Sequence, residues 1–337
     1  MRVFQVEGEW GMDHLKLSQR PQPQAGPGQV LVRMRASSLN YRDLVVPERG
    51  YGSYTGNLPL IPVSDGVGVV SEVGPGVHRV APGDRVCPTF FQGWFGGAPD
   101  LERLTQSLGG PIDGTMTDIM CVSEHGVVKV PEYLTDTEAA SLPCAALTAW
   151  SALTTESNVK VGDRVLIQGC GGVALFAVQF AKLLGAHVTV ITSNEERMKR
   201  VRQLGADAAI NYHAVPEWAK ATREITAGRG YDLIIELGGE KTLPQSLRCI
   251  RPGGTIAMIG ILSGSSMATS LGLIITRQVR LQGVTVGHRD GFEAMVRAMD
   301  QHKVKPIVDR VFDFAELKEA MAYLKSGAQF GKVCIAH

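Results

Sequence analysis

Over the first 130 residues, apolar positions come in short runs, often alternating with polar ones. "QVLVRMRASSL", "DGVGVVSEVG" and "HGVVKVP" read as strands, and "GPGQ", "GPGV" and "APGD" read as the turns between them. No long helical periodicity interrupts this stretch, so a β-rich domain is expected. The period then changes. "LTDTEAASLPCAALTAWSAL" opens with Thr135 and Glu138 at capping-box spacing and predicts a helix. "GDRVLIQG", "HVTVITS", "DAAINY", "YDLIIELGG", "GTIAMIG" and "RLQGVTVG" follow as short buried strands. Helical patterns such as "VALFAVQFAKLLGA" and "NEERMKRVRQLGA" separate the first of them. Strand alternating with helix predicts an α/β fold with a doubly wound parallel sheet. "FEAMVRAMDQHK" and "FAELKEAMAYLKSG" read as helices, and the closing "KVCIAH" as a strand returning to the first domain.

The join between "GDRVLIQG" and the next helix holds the first candidate chemistry. Gly169, Gly171 and Gly172 crowd one turn. Gly169 permits the tight turn, and Gly171 lets backbone approach a ligand. The helix opening at Val173 and Ala174 offers N–H groups and a positive dipole to a pyrophosphate. Ala174 takes the place of the third glycine of GxGxxG. An NAD site would carry an acidic residue at the end of the next strand, but Ser193 stands there. With no carboxylate to repel a 2′-phosphate, and with Arg197 nearby, the expectation is NADPH. Arg197 on a solvated helix face is the competing reading, and the one preferred for Arg200 and Arg202.

Composition narrows the class. The chain has 337 residues, enough for two domains, with 44% hydrophobic residues and a net charge of +1. That balance argues against nucleic acid or an anionic membrane as partner. The start has no apolar signal region, and no run reaches membrane-spanning length. The six cysteines form no CxxC pair, which suits reduced thiols and a cytoplasmic protein.

The pieces "GPGQVLVRMRASSLNYRD", "VSEVGPGV", "PGDRV", "SLPCAALTAWSAL", "VGDRVLIQGCGGVA", "LGADAAINY", "IRPGGTIAMIG" and "GAQFGKVCIAH" occur in this order over almost the whole chain. With them the sequence resembles the medium-chain dehydrogenase/reductase superfamily, and within it the zinc-independent quinone-oxidoreductase-like group. The resemblance implies a GroES-like catalytic domain, residues 1–142 and 288–337, around a Rossmann domain, residues 143–287. It implies NADPH, with Tyr212 of "INY" helping to hold the adenosine phosphate, although Tyr212 also reads as a plain aromatic. Thr148, inside "SLPCAALTAWSAL", is taken as a cofactor contact. Gly260 and the backbone from Val284 to Val286 end strands at the ligand-binding edge and could hold the carboxamide. Arg289 reads either as a cofactor contact or as a solvated side chain. A homodimer pairing through "VRLQGVTV", with "SMATSLGLIITRQ" in the interface, is also implied.

Zinc members of the superfamily use a Cys, a His–Glu pair and a second Cys. Here those positions hold Asn40, Ser64 with Asp65, and Cys144. One thiol with an amide and a hydroxyl is a poor zinc set, so no metal is expected. Without a Lewis acid, the expected substrates are activated small-molecule acceptors, quinones or α,β-unsaturated carbonyls. Asn40 and Tyr51 are the candidate catalytic donors to the carbonyl oxygen, with Tyr54 as the rival phenol. Arg42 and Asp43 are expected to pair locally. Two other readings stay open: an alcohol or aldehyde dehydrogenase, and a non-catalytic NADPH-binding protein.

Overall fold

A computed structural model describes residues 1–266 and 271–337. Residues 267–270, within the "SMATSLGLIITRQ" stretch expected at a dimer interface, lie outside the described residues. The chain divides into two compact units, residues 1–147 with 286–337, and residues 148–285.

In the first unit, β1 (Arg2–Val6) pairs antiparallel with β2 (Leu15–Gln19). The remaining strands of its first segment are β3 (Gln29–Leu39), β4 (Asp65–Val73), β5 (Arg85–Pro88), β6 (Ile119–Ser123) and β7 (Val127–Lys129). The second unit holds β8 (Arg164–Gln168), β9 (His187–Thr192), β10 (Ala208–Asn211), β11 (Tyr231–Glu236), β12 (Ile250–Met258) and β13 (Arg280–Gly283). Its sheet runs β10-β9-β8-β11-β12-β13, parallel throughout. This is the doubly wound Rossmann order, with the strand reversal beside β8. The chain then returns to the first unit as β14 (Val308–Asp313) and β15 (Lys332–Ala336). They extend a sheet of order β14-β15-β3-β4-β5-β7, with β6 also on β3.

The return of β15 decides what the first unit can build. It lies antiparallel to β3 with Val333 opposite Leu39. Residues at the end of "KVCIAH" pack with Val3, Phe4, Leu39 and Met116 in one apolar core. Burial of Val333 and Ile335 holds this register, because a slip of one residue would turn both to the other face.

The predicted helix after Thr135 is interrupted. The capping box forms, with Thr135 accepting from the Glu138 N–H and Glu138 accepting from the Thr135 N–H. The helix Asp136–Ala140 then gives way to a π-helical turn, Leu142–Ala146, before the helix Leu147–Leu153. Pro143 removes one donor, and the Cys144 N–H donates to the Asp65 carboxylate at 3.0 Å. Residues 143–147 and 286–287, assigned from the sequence to the second domain, fall in the first unit.

Candidate functional site

In the Rossmann unit the glycine turn forms at the carboxyl end of β8. Gly169 has φ +81°, a backbone conformation that favours glycine. Its N–H donates to Ile191 at the end of β9, and Cys170 meets Thr192 at 3.0 Å, so the turn is fastened to the next strand. No heavy atom lies within 4 Å of where a Cβ on Gly171 would stand. Gly171 is the N-cap of the helix Gly172–Leu183, with no side chain satisfying its first N–H groups. Open space at a helix N-terminus fits a pyrophosphate. Val173 is half-buried, whereas Ala174 is fully buried.

Ser193 follows β9 directly and is half-buried. Asn194 caps the next helix by accepting from the Arg197 N–H, which holds Arg197 in its first turn. The Tyr212 N–H donates to Thr192, so the end of β10 stands beside Ser193. Tyr212 is partly exposed, its ring against His213. The structure thus brings Gly169, Gly171, Gly172, Ser193, Arg197 and Tyr212 to neighbouring strand ends. Gly260 donates its N–H to Glu236, and a Cβ there would collide with Leu237. Val284 is buried past β13, and Thr148 is buried in the first turn of its helix.

Val286 and Arg289 fall in the first unit. Val286 has φ +56°, an outlier for a β-branched residue. The Arg289 guanidinium lies over Phe95 and pairs with Asp290 at 3.0 Å, so the freely solvated reading does not hold.

The first unit also gathers a buried polar cluster that its sequence only half reveals. Asp65, at the start of β4, is fully buried. It accepts from Ser64 Oγ at 2.7 Å and from the Cys144 N–H. Asp43 is also fully buried and accepts the Asn40 N–H at 2.7 Å. Its other oxygen has no hydrogen-bond partner among the described residues; Arg42 is 3.7 Å away. Burial pushes the Asp43 carboxyl up to about 6, against the pull of Arg42. Burial raises Asp65 too, opposed first by the charge of Lys332. Arg42 donates to Leu108 and stacks on Phe90.

Asn40 is the pivot of the cluster. Its Oδ1 accepts from Lys332 Nζ at 2.6 Å. Its Nδ2 is closed to water and makes no hydrogen bond of its own, and the amide lies near enough to Asp65 to favour the ionised carboxylate. A buried donor left unmade costs about 1–3 kcal/mol, so this atom is suited to a ligand oxygen. Tyr51 is 43% exposed, with a phenol raised by burial and lowered by Arg42. It feels Asp43 and Cys144 as well, whereas Tyr54 is 65% exposed. Lys332 escaped the sequence reading. It lies 292 positions from Asn40, and only the pairing of β15 with β3 joins them.

A parallel sheet of Rossmann order with an open glycine turn, together with a β-rich unit that holds a buried polar cluster, defines a nicotinamide-dependent oxidoreductase. The family "Alcohol dehydrogenase GroES-like domain" matches residues 26–132, and the family "Zinc-binding dehydrogenase" matches residues 172–301. A zinc-type alcohol dehydrogenase-like protein of Schizosaccharomyces pombe is 40% identical, over 96% of each chain. A mitochondrial NAD(P)H oxidoreductase of Danio rerio is 30% identical over 92% of this chain and 84% of its own. An acryloyl-coenzyme A reductase of Sulfurisphaera tokodaii is 27% identical over 95% and 96%. The crystal structure of an alcohol dehydrogenase candidate from Sinorhizobium meliloti superposes with a TM-score of 0.93, at 41% identity over 100% of this chain and 98% of that one. The chain belongs to the medium-chain dehydrogenase/reductase superfamily, as an NAD(P)H-dependent oxidoreductase related to the zinc-type alcohol dehydrogenases.

The residues present do not fit the zinc of that family name. Among the described residues, no group of three or more His, Cys, Asp or Glu side chains is placed to hold a metal ion. Ser64 spends its hydroxyl on Asp65, and Asn40 turns its oxygen to Lys332. Cys144 is then the one thiol among the three positions. Among the described residues, no helix is long and apolar enough to cross a membrane, and all six cysteines are free.

Proposed function

We propose that this protein is a zinc-free, NADPH-dependent reductase of α,β-unsaturated carbonyls or quinones. The observation that carries the reading is the state of the three zinc-ligand positions. Asn40 and Ser64 commit their side chains to Lys332 and Asp65, and Cys144, whose backbone N–H donates to Asp65, leaves a single thiol among the three. Conjugated acceptors need no Lewis acid, because hydride addition at the far carbon places negative charge on an oxygen that donors can stabilise. The acryloyl-coenzyme A reductase among the relatives performs chemistry of this class.

NADPH supplies the hydride when bound. Gly169, Gly171 and Gly172 would hold its pyrophosphate, and Ser193, Arg197 and Tyr212 its 2′-phosphate. Gly260, Val284 and Val286 would position the carboxamide, with Thr148 and Arg289 as further contacts. Asn40 Nδ2 and the Tyr51 hydroxyl would donate to the developing oxyanion. Tyr51 is favoured over Tyr54 because its phenol senses Arg42 and Asp43. Unpaired thiols suit a cytoplasmic setting.

The test is an acceptor panel of enones, enoyl thioesters, quinones, aldehydes and alcohols, run with NADPH and NADH, with and without chelator. Turnover of conjugated acceptors with NADPH, unchanged by chelator, is expected. Turnover confined to alcohols or aldehydes and abolished by chelator would overturn the reading. We also propose a homodimer through the outer strand β13, where Leu271, Ile275 and Leu281 are exposed. Light scattering should give twice the chain mass, and a monomer at all concentrations would refute it.

A further inference from the structure

We propose that Lys332 is a positioning residue that fixes the polarity of the Asn40 amide, occupying its oxygen end so that an Nδ2 N–H is left to donate to the reacting oxygen. The inference rests on the donor role of Asn40 argued above, and it assigns that role a cause.

A primary amide presents an acceptor at one end and two donors at the other, and a half-turn exchanges them. Asn40 is useful to an oxyanion in only one of these orientations. A charged lysine has three donors and no acceptor, so it tolerates only the oxygen end. Lys332 Nζ donates to Asn40 Oδ1 at 2.6 Å and to the Leu39 carbonyl at 2.6 Å. Both acceptors belong to the end of β3, so the amine is pinned there rather than shared with distant groups. Lys332 is itself only 3% exposed. Its positive charge is matched by the wholly buried Asp65 close by.

With the oxygen end taken, the Nδ2 end stands beside the Asp65 carboxylate, shut from water and making no hydrogen bond of its own. Were the amide to flip, Nδ2 would face an ammonium and Oδ1 would face Asp65, two repulsive contacts. The cation therefore rejects the wrong orientation as well as favouring the right one. A side chain supplied by β15 thus decides what the end of β3 can do for a substrate.

The experiment compares wild type with Asn40→Ala, Lys332→Met and the double variant. Single-turnover oxidation of bound NADPH by an enone gives the rate, and titration gives NADPH affinity. Lys332→Met should slow hydride transfer by about tenfold or more, as loss of an oriented donor does. NADPH affinity should be unchanged, because neither Asn40 nor Lys332 is among the residues that would hold the cofactor. In the Asn40→Ala background, Lys332→Met should cost nothing further, because no amide remains to orient. Lys332→Arg, which keeps a donor-only cation, should retain most of the rate.

If Lys332→Met proves unstable, Lys332→Gln gives the same comparison, because a neutral amide can present either end to Asn40. An unchanged rate in the lysine variants overturns the inference. So does an equal loss in both backgrounds, which marks a merely structural lysine. If Asn40→Ala itself leaves the rate intact, the donor reading of Asn40 falls first and takes the inference with it.

Discussion

The glycine turn of the Rossmann unit is written in six consecutive residues, 169–174, whereas the polar cluster of the β-rich unit draws on Asn40, Asp43, Asp65, Cys144 and Lys332. The first is a site made of backbone. Its working parts are N–H groups and empty space, and the neighbouring strand ends only hold it open. The second is a site made mainly of side chains, gathered from segments far apart in the chain. A backbone site tolerates much around it but nothing within it. A side-chain cluster tolerates substitution only if every charge and hydrogen bond is rebalanced. The two units should therefore fail differently when altered.

The sharpest test of the backbone half is Gly171→Val. Its φ is not in the left-handed region, and a Cβ there meets nothing within 4 Å. The protein should fold with an unchanged melting temperature. The added branch fills the cradle and covers the helix N–H groups that would meet the pyrophosphate, so NADPH binding should fall by about a hundredfold, equivalent to about 3 kcal/mol. Calorimetric titration beside a melting curve checks both halves. Normal NADPH binding would remove Gly171 from the cofactor site.

This contrast also decides what was legible beforehand. The turn, its flanking strand and helix, and the alternation of strand with helix that makes a parallel sheet were readable because local pattern determines each of them. β3 falls on "QVLVRMRASSL" as expected, and β8 on the strand before the glycines. The helix after Thr135 was only partly readable. Its capping box is local, but its break depends on Asp65, which takes the Cys144 N–H from 79 positions away. Lys332 was illegible for the same reason. It opens an apolar strand with nothing nearby to mark it, and only the register of β15 on β3 gives it a partner. The short helices Trp218–Ile225 and Leu243–Cys249 carry no sequence pattern that stood out.

In the side-chain half, Tyr51→Phe removes one hydroxyl and keeps the ring. Loss of an oxyanion donor costs about 3 kcal/mol, close to a hundredfold in rate. Single-turnover rates on an enone should fall by that order, with NADPH affinity intact. Equal rates on enones and quinones in the variant and wild type would return the donor role to Tyr54 or to backbone.

Asp43 tests the electrostatics of the same cluster through stability. Its folded pKa of about 6 lies above its ordinary value of 3.8. The folded chain therefore keeps a proton that the unfolded chain gives up between those values. That stabilising contribution is whole below about pH 4 and is lost as pH rises through 6. The full difference is at most about 3 kcal/mol, of which burial is the main source. Asp43→Asn can still accept the Asn40 N–H and has no proton to lose. Its melting temperature should match wild type near about pH 4.5 and exceed it by several degrees near about pH 7.5. An offset that does not vary with pH would show that Asp43 is not held in its neutral form by burial.

Ser193→Asp should have the smallest effect, and it asks whether the backbone half also needs side chains to choose its ligand. Ser193 stands half-buried at the end of β9, with the Tyr212 backbone bonded to Thr192 beside it. Arg197 opens the following helix, its N–H held by Asn194. In our reading these groups meet the 2′-phosphate, while the glycine turn meets the pyrophosphate common to both cofactors. An aspartate at 193 would set a carboxylate against that phosphate in a water-accessible place. Like charges about 4 Å apart repel by about 1 kcal/mol in water and about 4 kcal/mol near a protein surface. Arg197 would neutralise part of this, so about a tenfold loss of NADPH affinity is expected. NADH should bind as well or better, because an acidic group at a strand end can accept from a ribose hydroxyl. The ratio of the two affinities is the measurement. If wild type binds both cofactors equally, and Ser193→Asp leaves the ratio unchanged, selectivity does not reside at the end of β9.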